Sequence, residues 1–308
     1  MDQHLIMYYI AYGFLYALSL LPLKVLYLLS DGIYFLLYHV FGYRKDVVRK
    51  NLEIAFPEKT VDERKKIEKQ FYKNFIDNFI ETLKILSGGN EYATKHFKVD
   101  NTIMEQEFRK GKKLQFHLGH NFNWELANVA VTSYTSYPML VVYMPVKNKV
   151  FDRIMLKLRT VSNNALLPAT DMRNAMFPFR NTQYLLALVA DQVPGDASKA
   201  YWLNFFGRPT PFMRGPERGA MAGDLSVVFG QIYKVKRGHY RLEYELCTDS
   251  AGSMQKGELT RMYVRFLEKV IREHPEMWLW SHRRWKKEWK HEYAKLWIDD
   301  VPPPSAET

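Results

Sequence analysis

The sequence predicts an α/β fold in which a mixed, largely parallel central sheet is flanked by helices and preceded by an N-terminal apolar helical membrane anchor. Two observations carry this prediction. Short apolar runs alternate with segments of helical periodicity through the middle of the chain, as in strand–helix units around a parallel sheet. A long, almost uncharged segment precedes them, and its apolar character is typical of a helix that enters a bilayer.

The composition narrows the class of protein. Of the 308 residues, 47% are hydrophobic, which is enough to build a core and excludes global disorder. The single cysteine, Cys247, excludes an intramolecular disulfide and a cysteine-rich zinc site. The 44 Lys and Arg residues outnumber the 33 Asp and Glu residues, giving a formal net charge of +11. Such a chain attracts an acidic partner, which anionic lipid, nucleic acid or an acidic carrier protein would each provide.

The expected anchor consists of two apolar stretches. No charged residue occurs in residues 5–22, a length that can cross a bilayer, and Asp31 alone interrupts the second stretch. Arg44 and Lys45 follow, so by the positive-inside tendency the rest of the chain faces the cytoplasm. A buried pair of helices, or helices that lie in the interface without crossing, remain alternatives. The chain therefore divides into three parts: an anchor (1–42), a folded domain (43–301) and a loose tail (302–308).

The helices of the folded domain are predicted from caps and periodicity. Thr60 and Glu63 can cap each other's backbone, which predicts a helix that Ser87-Gly88-Gly89-Asn90 ends. Four further helical patterns occupy residues 126–131, 151–158, 171–177 and 257–273.

The strands are predicted from short apolar runs at residues 114–118, 139–144 and 185–190. Residues 227–235 and 240–246 flank Arg237-Gly238-His239, and apolar and polar residues alternate in the second arm, which predicts an antiparallel hairpin. In a sheet of this class, functional side chains are expected where the parallel strands end.

The most informative segment is KKLQFHLGHNFNWELA, residues 112–127. A strand leads to His120, and Asn121 or Asn123 can cap a helix that carries Glu125. Because the chain folds back at a strand-to-helix junction, the Glu125 carboxylate can reach the imidazole and hold one ring nitrogen as N–H. The other nitrogen is then free to accept a proton, as a general base requires. The alternative is a purely structural His–Glu pair.

Two further groups of residues are candidates for substrate binding. Asp191 and Gln192 follow the strand at 185–190, at the sheet edge expected for His120, where they form either a pocket wall or a loop cap. Arg214 and Arg218 lie beside glycine and proline residues and suit the binding of lipid phosphates, although such charges also occur on solvated faces.

The segment HNFNWE, residues 120–125, resembles the His-x4-Asp/Glu box of the bacterial lipid A late acyltransferases, which are lauroyl and myristoyl transferases of the glycerolipid acyltransferase superfamily. Other segments resemble further boxes of that family in the same order: GYRKDVVRKNLEIAFPEK (42–59), VVYMPVKN (141–148), KLRTVSNN (157–164), ALVADQVP (187–194), FFGRPTPFMRGPERGAMA (205–222) and MWLWSHRRWK (277–286). The resemblance covers nearly the whole chain. Phe122 departs from the more usual Gly, and Met144 replaces the Arg of a Tyr-Arg-Pro box.

The resemblance implies a glycerolipid acyltransferase-like domain that moves a fatty acyl chain from an acyl carrier protein thioester to a hydroxyl of a lipid A precursor. His120 would be the general base, oriented by Glu125, and Arg159 with the backbone N–H groups of residues 119–121 would stabilise the oxyanion. The substrate-binding set is Arg159, Asp191, Gln192, Asn123, Arg214 and Arg218. No metal or other cofactor is implied, because the thioester of carrier protein or coenzyme A is a co-substrate.

The implied partners are acyl carrier protein, the acceptor lipid and the anionic surface of the inner membrane, with the domain in the cytoplasm and no nucleic acid; the oligomeric state stays open. Another acceptor, an aminolipid or a phosphoglycolipid, is an alternative, and water as acceptor would make a thioesterase. A membrane-tethered, basic nucleic-acid-binding protein is an alternative of a different class. It draws on the net charge and the Trp/Arg block at 278–289, interpreted as a base-stacking surface, an interfacial helix or core packing beside the site.

Overall fold

The computed structural model describes residues 3–305. The helices of this part of the chain are, in order, α1 (Gln3–Ser19), α2 (Leu23–Tyr34), α3 (Lys45–Ala55), α4 (Val61–His96), α5 (Thr102–Arg109), α6 (Trp124–Val131), α7 (Lys149–Arg159), α8 (Met172–Met176), α9 (Gly215–Ala222) and α10 (Glu258–Glu273). A π-helix, Phe35–Val40, continues α2.

The strands of the described residues are β1 (Phe97–Val99), β2 (Leu114–Leu118), β3 (Met139–Tyr143), β4 (Ala165–Pro168), β5 (Leu185–Val189), β6 (Tyr201–Phe205), β7 (Arg208–Phe212), β8 (Ser226–Lys236) and β9 (His239–Thr248). Seven of them form one sheet in the order β1-β9-β8-β2-β5-β3-β4, while β6 and β7 form a separate antiparallel ribbon. Within the large sheet β8 and β9 pair antiparallel and the other neighbours pair parallel. The predicted mixed, largely parallel sheet flanked by helices is confirmed.

The strand at the centre of the sheet is β2, and all five of its side chains are buried. Its bounds are those predicted, and β3 and β5 each end one residue before the predicted end. The hairpin of β8 and β9 also forms where alternation indicated it. A strand that is buried on both faces of a parallel sheet has a continuous apolar sequence, which explains why these central strands could be predicted from the sequence.

Helix α4 begins with the predicted capping box. Thr60 Oγ1 accepts a hydrogen bond from the Glu63 backbone N–H, and Glu63 Oε2 accepts one from the Thr60 backbone N–H (2.7 Å). The helical backbone is interrupted at the glycine pair, where its end was predicted: Gly89 has non-helical angles (φ 53°, ψ −145°), and a second helical segment follows it as far as His96. Glycine adopts a positive φ without strain, so Gly89 ends the first helical segment at a kink.

The two N-terminal helices present exposed apolar side chains, among them Phe14 (65% exposed) and Leu28 (73% exposed). The segment Leu23–Val40 is long and apolar enough to cross a membrane by length and composition. This candidate span is the second apolar stretch. The sequence favoured the first stretch, residues 5–22, as the span because it has no charged residue. In the structure this stretch forms the shorter helix α1, which ends at Ser19.

The same helices are attached to the folded domain through α4. Leu26 and Ser30 of α2 are buried, and Ser30 Oγ donates a hydrogen bond to Asp77 Oδ1 (2.7 Å). At the end of α1, the ammonium group of Lys84 donates to the Ser19 carbonyl (2.6 Å). The expected division of the chain at residue 42 stays a prediction.

The C-terminal Trp/Arg block does not form an interfacial helix. Its residues lie in turns between two short 3-10 helices, Pro275–Met277 and His291–Leu296. Trp278 and Trp280 are 1% and 0% exposed, so the interpretation as core packing is confirmed for both rings. The expected loose tail, residues 302–308, has no regular structure as far as residue 305, and its last three residues lie outside the described part of the chain.

Candidate active site

Two neighbouring parallel strands bring His120 and Asp191 together. In the pairing of β2 with β5, Leu118 lies opposite Val189, so the residues two positions further along each chain meet at the carboxyl edge of the sheet. The His120 backbone N–H donates to Asp191 Oδ2 (2.8 Å), and His120 Nδ1 lies 2.5 Å from Asp191 Oδ1. Asp191 therefore holds both the backbone and the ring of His120.

The Asp191 carboxylate is ionised although it is only 2% exposed. Burial by itself raises the pKa of a carboxyl group. The charge that His120 carries when its ring is protonated, and the hydrogen bonds from that ring, from its backbone N–H and from Trp278 Nε1 (2.7 Å), outweigh burial, so that the pKa of Asp191 falls to about 2. An ionised acceptor fixes the proton of His120 on Nδ1 and leaves the lone pair on Nε2.

The second ring nitrogen of His120, Nε2, faces Gln192. The side-chain Nε2 of Gln192 lies 3.2 Å from His120 Nε2, and because the imidazole proton sits on Nδ1, the amide donates to the ring. The His120 side chain is 17% exposed. A single neutral donor thus occupies the basic nitrogen, and a hydroxyl that reaches the site can take its place.

Gly119 makes this close approach of loop and strand possible. A Cβ atom at this position would lie 2.6 Å from Leu267 Cδ1, 2.8 Å from Asn121 Oδ1 and 3.3 Å from Asp191 Oδ2. Any larger residue would therefore push against both the core below the sheet and the carboxylate that holds His120.

The predicted hydrogen bond between His120 and Glu125 does not form. Glu125 lies in the first turn of α6, where it accepts two hydrogen bonds from Arg159 at the end of α7, with N···O distances of 2.9 and 2.5 Å. The Trp124 indole packs edge-on against the His120 ring (5.2 Å between centroids) and donates to Glu125 Oε1 (3.2 Å). The acid that orients the imidazole is therefore Asp191, and a catalytic role for Glu125 stays a prediction.

The groups predicted to stabilise an oxyanion are largely engaged. Arg159 is held by Glu125 in a bidentate pair, and its side chain is 20% exposed. Burial lowers the pKa of Arg159, but the hydrogen bonds and charge of Glu125 raise it by more, so that its pKa lies above the ordinary value. The backbone N–H of His120 donates to Asp191, and that of Asn121 donates to the Gly119 carbonyl (2.8 Å). Oxyanion binding by Arg159 would require it to share its donors with Glu125.

Asn123 caps the helix, as predicted. Its Oδ1 accepts from the Leu126 backbone N–H (3.0 Å), and its Nδ2 donates to Glu81 Oε2 (3.1 Å). The side chain is 0% exposed and both polar ends are bound within the protein. Asn123 thus holds the loop after His120 in position, and its expected contact with substrate stays a prediction.

A buried carboxyl group connects this loop to the N-terminal helices. Glu81 of α4 accepts hydrogen bonds from Tyr27 Oη (2.9 Å) on α2, from Tyr240 Oη (2.6 Å) on β9 and from Asn123. Burial is the main reason that the pKa of Glu81 is raised. The helix that precedes the folded domain and the loop that carries His120 therefore share one hydrogen-bonding centre.

The predicted phosphate-binding arginines lie apart from this group of contacts. Arg214 donates to the Lys199 carbonyl (2.7 Å) and its guanidinium lies 5.4 Å from the centre of the Tyr201 ring. Arg218 is exposed on α9. Of the described hydrogen bonds, none joins either arginine to His120, Asp191 or Gln192, and their role in substrate binding stays a prediction.

The sequence reasoning missed the support that the C-terminal block gives to Asp191. Besides the Trp278 indole, His282 Nε2 accepts from the Val193 backbone N–H (3.3 Å), and burial, then the charge of Arg284, lowers the pKa of His282 to about 4. Arg284 is 0% exposed and donates to the Pro211 carbonyl (3.0 Å). A buried indole N–H usually finds an acceptor, and here Trp278 takes the Asp191 carboxylate while Trp280 takes the Pro275 carbonyl.

Comparison with known proteins agrees with the resemblance noted in the sequence. Residues 2–287 match the family described as "Bacterial lipid A biosynthesis acyltransferase". The chain is 23% identical over 280 residues to the "Lipid A biosynthesis palmitoleoyltransferase" of Escherichia coli (strain K12), which covers 89% of each protein. A "Lipid A biosynthesis acyltransferase" of Shigella flexneri is similar to the same degree, with 23% identity and 89% of each chain covered.

Proposed function

The chain belongs to the bacterial lipid A biosynthesis acyltransferase family, and we propose that it moves a fatty acyl chain from an acyl carrier protein thioester to a hydroxyl of a lipid A precursor at the inner membrane. The observation that carries the mechanism is the arrangement at His120. Its Nδ1 is held by a buried, ionised Asp191, and its Nε2 is turned toward an exchangeable amide donor, Gln192.

In the proposed reaction the acceptor hydroxyl replaces Gln192 at His120 Nε2 and gives its proton to that nitrogen as the oxygen attacks the thioester carbonyl. Asp191 stabilises the imidazolium that forms. The tetrahedral intermediate then collapses, the carbon–sulfur bond breaks, and the leaving thiolate takes the proton from Nε2. The products are the ester and the free thiol of the carrier, and no acyl-enzyme is needed.

Membrane association is proposed from the apolar faces of α1 and α2. Side chains such as Ile10 (68% exposed) and Leu28 (73% exposed) are not covered by other apolar groups of the described residues. They suit a hydrocarbon environment. Asp31 of α2 binds Arg237 of the folded domain (2.7 Å). Because α2 is fixed along α4 in this way, it is better placed to insert into the cytoplasmic interface than to cross the bilayer apart from the folded domain.

The test is the acyl-transfer rate of His120→Ala with purified carrier-protein thioester and lipid A precursor. Removal of the base should lower turnover by about 10²–10⁴-fold. His291→Ala, which removes an exposed imidazole elsewhere in the chain, is the control and should leave the rate unchanged. Equal rates for both variants would refute the assignment of the base.

The alternative functions differ in their reaction products. Mass spectrometry of the products with and without acceptor separates a transferase from a thioesterase, which releases free fatty acid in both cases. Substituting coenzyme A thioesters, or aminolipid and phosphoglycolipid acceptors, separates the donors and acceptors. Trp278 and Trp280 are buried and offer no surface on which bases could stack, so these two rings do not support the nucleic-acid alternative.

A further inference from the structure

The hairpin of β8 and β9 extends beyond the end of β2 on the side that carries His120. β2 runs alongside β8 only as far as Leu118, which lies opposite Gly230, whereas β8 continues to Lys236. At about 3.3 Å per residue, the additional length carries the hairpin tip up to about 20 Å past the end of β2. The tip therefore projects from the same edge of the sheet as the active site.

The hairpin tip is also fixed to the N-terminal helix α2. Arg237 donates to both carboxylate oxygens of Asp31, at 2.7 and 3.2 Å. Gly238 adopts a φ of +75°, and a Cβ atom there would lie 2.2 Å from Tyr27 Oη. The backbone of the turn is thus pressed against the helix that is proposed to lie in the membrane interface.

A pocket of about 190 Å³ opens beside this turn, and we call it the tip pocket; it is lined by Lys95, His96, Lys98, Val235, Lys236, His239, Tyr240 and Arg241. The lining contains four cationic side chains and two imidazoles, but no carboxylate. Arg241 is compensated by Glu243 (3.0 Å). Lys98 is anchored by donating to the Thr94 carbonyl (3.0 Å), while Lys95 and Lys236 are exposed beside the pocket. The space is large enough for a phosphate group, since one water molecule takes up about 30 Å³.

The pKa values of the two imidazoles reflect burial and the positive charges around the pocket. Their rings stack with centroids 4.6 Å apart, and His96 Nδ1 donates to the Gly238 carbonyl (2.7 Å), which leaves Nε2 as its second polar atom. Burial, followed by the positive charges around it, lowers the pKa of His239. For His96, burial and the charges of Lys95 and Lys236 lower the pKa against a raising effect of the Gly238 hydrogen bond. An anion in the pocket would relieve this uncompensated positive potential.

We propose that the tip pocket binds the phosphate of an anionic phospholipid headgroup, in addition to the lipid that the active site acylates. This proposal rests on the membrane association proposed above. An exposed Val235 (68%) stands beside Lys236 at the tip, and the neighbouring α2 exposes Leu28, whereas the ammonium of Lys234 turns inward to Asn74 and Asp77 of α4. Apolar side chains interleaved with cations are the pattern of a surface that enters a charged bilayer interface, and a soluble acidic protein would give no reason for them.

Headgroup binding at this position would set the orientation of the domain on the bilayer. The hairpin tip and α2 touch the same interface, and the edge of the sheet with His120 faces it between them. Each cation near an anionic surface contributes about 5-fold to binding, so two of them contribute about 25-fold.

The test compares two double variants of the full-length protein, Lys95→Gln with Lys236→Gln, and Lys256→Gln with Lys269→Gln. All four lysines are exposed, so both pairs change the charge equally without disturbing the core. Co-flotation is measured with vesicles of phosphatidylcholine alone and of phosphatidylcholine mixed with phosphatidylglycerol. We expect the first pair to lose about 25-fold in binding to the mixed vesicles, the second to change little, and both to retain the wild-type affinity for phosphatidylcholine.

Equal losses in the two pairs would overturn the proposal, because net charge would then explain the binding. Wild-type binding to phosphatidylcholine without any gain from phosphatidylglycerol would overturn it while leaving membrane association intact. Failure to bind either vesicle would overturn both. Competition by glycerol phosphate at low concentration would assign the pocket to a soluble phosphate, and loss of carrier-protein binding alone in the first pair would assign it to the carrier; either result contradicts a lipid site.

Discussion

Replacing Asp191 by Asn should reverse the protonation of the His120 ring without changing the size of the side chain. Asp191 Oδ2 accepts from both the His120 backbone N–H and Trp278 Nε1, so the amide oxygen of Asn must occupy that position. The amide nitrogen then takes the place of Oδ1 and donates to His120 Nδ1. The imidazole proton is forced onto Nε2, where the base nitrogen must be free.

The magnitude follows from the role of the base. A ring with its proton on Nε2 cannot accept the hydroxyl proton, so the whole general-base contribution of about 10²–10⁴-fold is at risk, equivalent to about 3–5 kcal/mol of barrier. The rate of acyl transfer measures the loss, and ¹⁵N NMR of the imidazole measures the tautomer directly. Both should change together in the variant.

Glu125→Gln is the matched control, because it makes the same carboxyl-to-amide change in the acid that the sequence spacing favoured. Glu125 contacts Arg159 and Trp124, so the variant should leave the proton on Nδ1 whatever it does to turnover through Arg159. The reasoning is refuted if the tautomer changes in Glu125→Gln and stays the same in Asp191→Asn.

Three further predictions concern stability and reactivity. Gly119→Ala should lower both turnover and the melting temperature, because the added methyl group would lie 2.6 Å from Leu267 Cδ1; a fully active, equally stable variant contradicts this. His117, whose two ring nitrogens lack partners and whose pKa is lowered by burial to about 3, should cost about 2 kcal/mol of unfolding free energy between pH 6.5 and about pH 5, since the unfolded chain takes up the proton first; chemical denaturation of His117→Leu should show that loss abolished. The pKa of the Cys247 thiol is raised to about 12 by burial, so iodoacetamide should alkylate it far more slowly at neutral pH than it alkylates the unfolded chain, as mass spectrometry can follow.

Most of the fold was predictable because its signals are local. The bounds of β2, the hairpin and the capping box each depend on residues close together in sequence. The interruption of the helix at Gly89 was predictable because glycine breaks a helix, but the second helical segment that follows it to His96 was not, since that depends on the packing beyond the kink. The Trp/Arg block was compatible with a helix by spacing, but the indoles of Trp278 and Trp280 are buried against acceptors, Asp191 and the Pro275 carbonyl, which the sequence does not locate.

The site was predictable in part. His120 and Asp191 were both singled out because each follows a strand, yet the first was paired with Glu125, its neighbour in sequence. The missing information was strand order: β5 lies directly beside β2, in a register that places the two residues side by side. No spacing within one segment can reveal that. The direction of Glu125 likewise depends on where α7 ends, since Arg159 captures it there.

The geometry explains why the resemblance to the family spans nearly the whole chain and is not confined to the segment around His120. Arg44 and Asn51 of the segment after the anchor donate to the carbonyls of Ser281 (2.9 Å) and Trp280 (2.7 Å) and so hold the C-terminal block in place. That block supplies the indole and imidazole that contact residues 191 and 193. A base oriented by one buried carboxylate depends on every group that keeps the carboxylate ionised, because each donor lost raises its pKa and weakens its hold on the ring. The segments at 42–59, 187–194 and 277–286 are therefore parts of one continuous support for a single imidazole, and a change in any of these three is expected to act on His120 through Asp191.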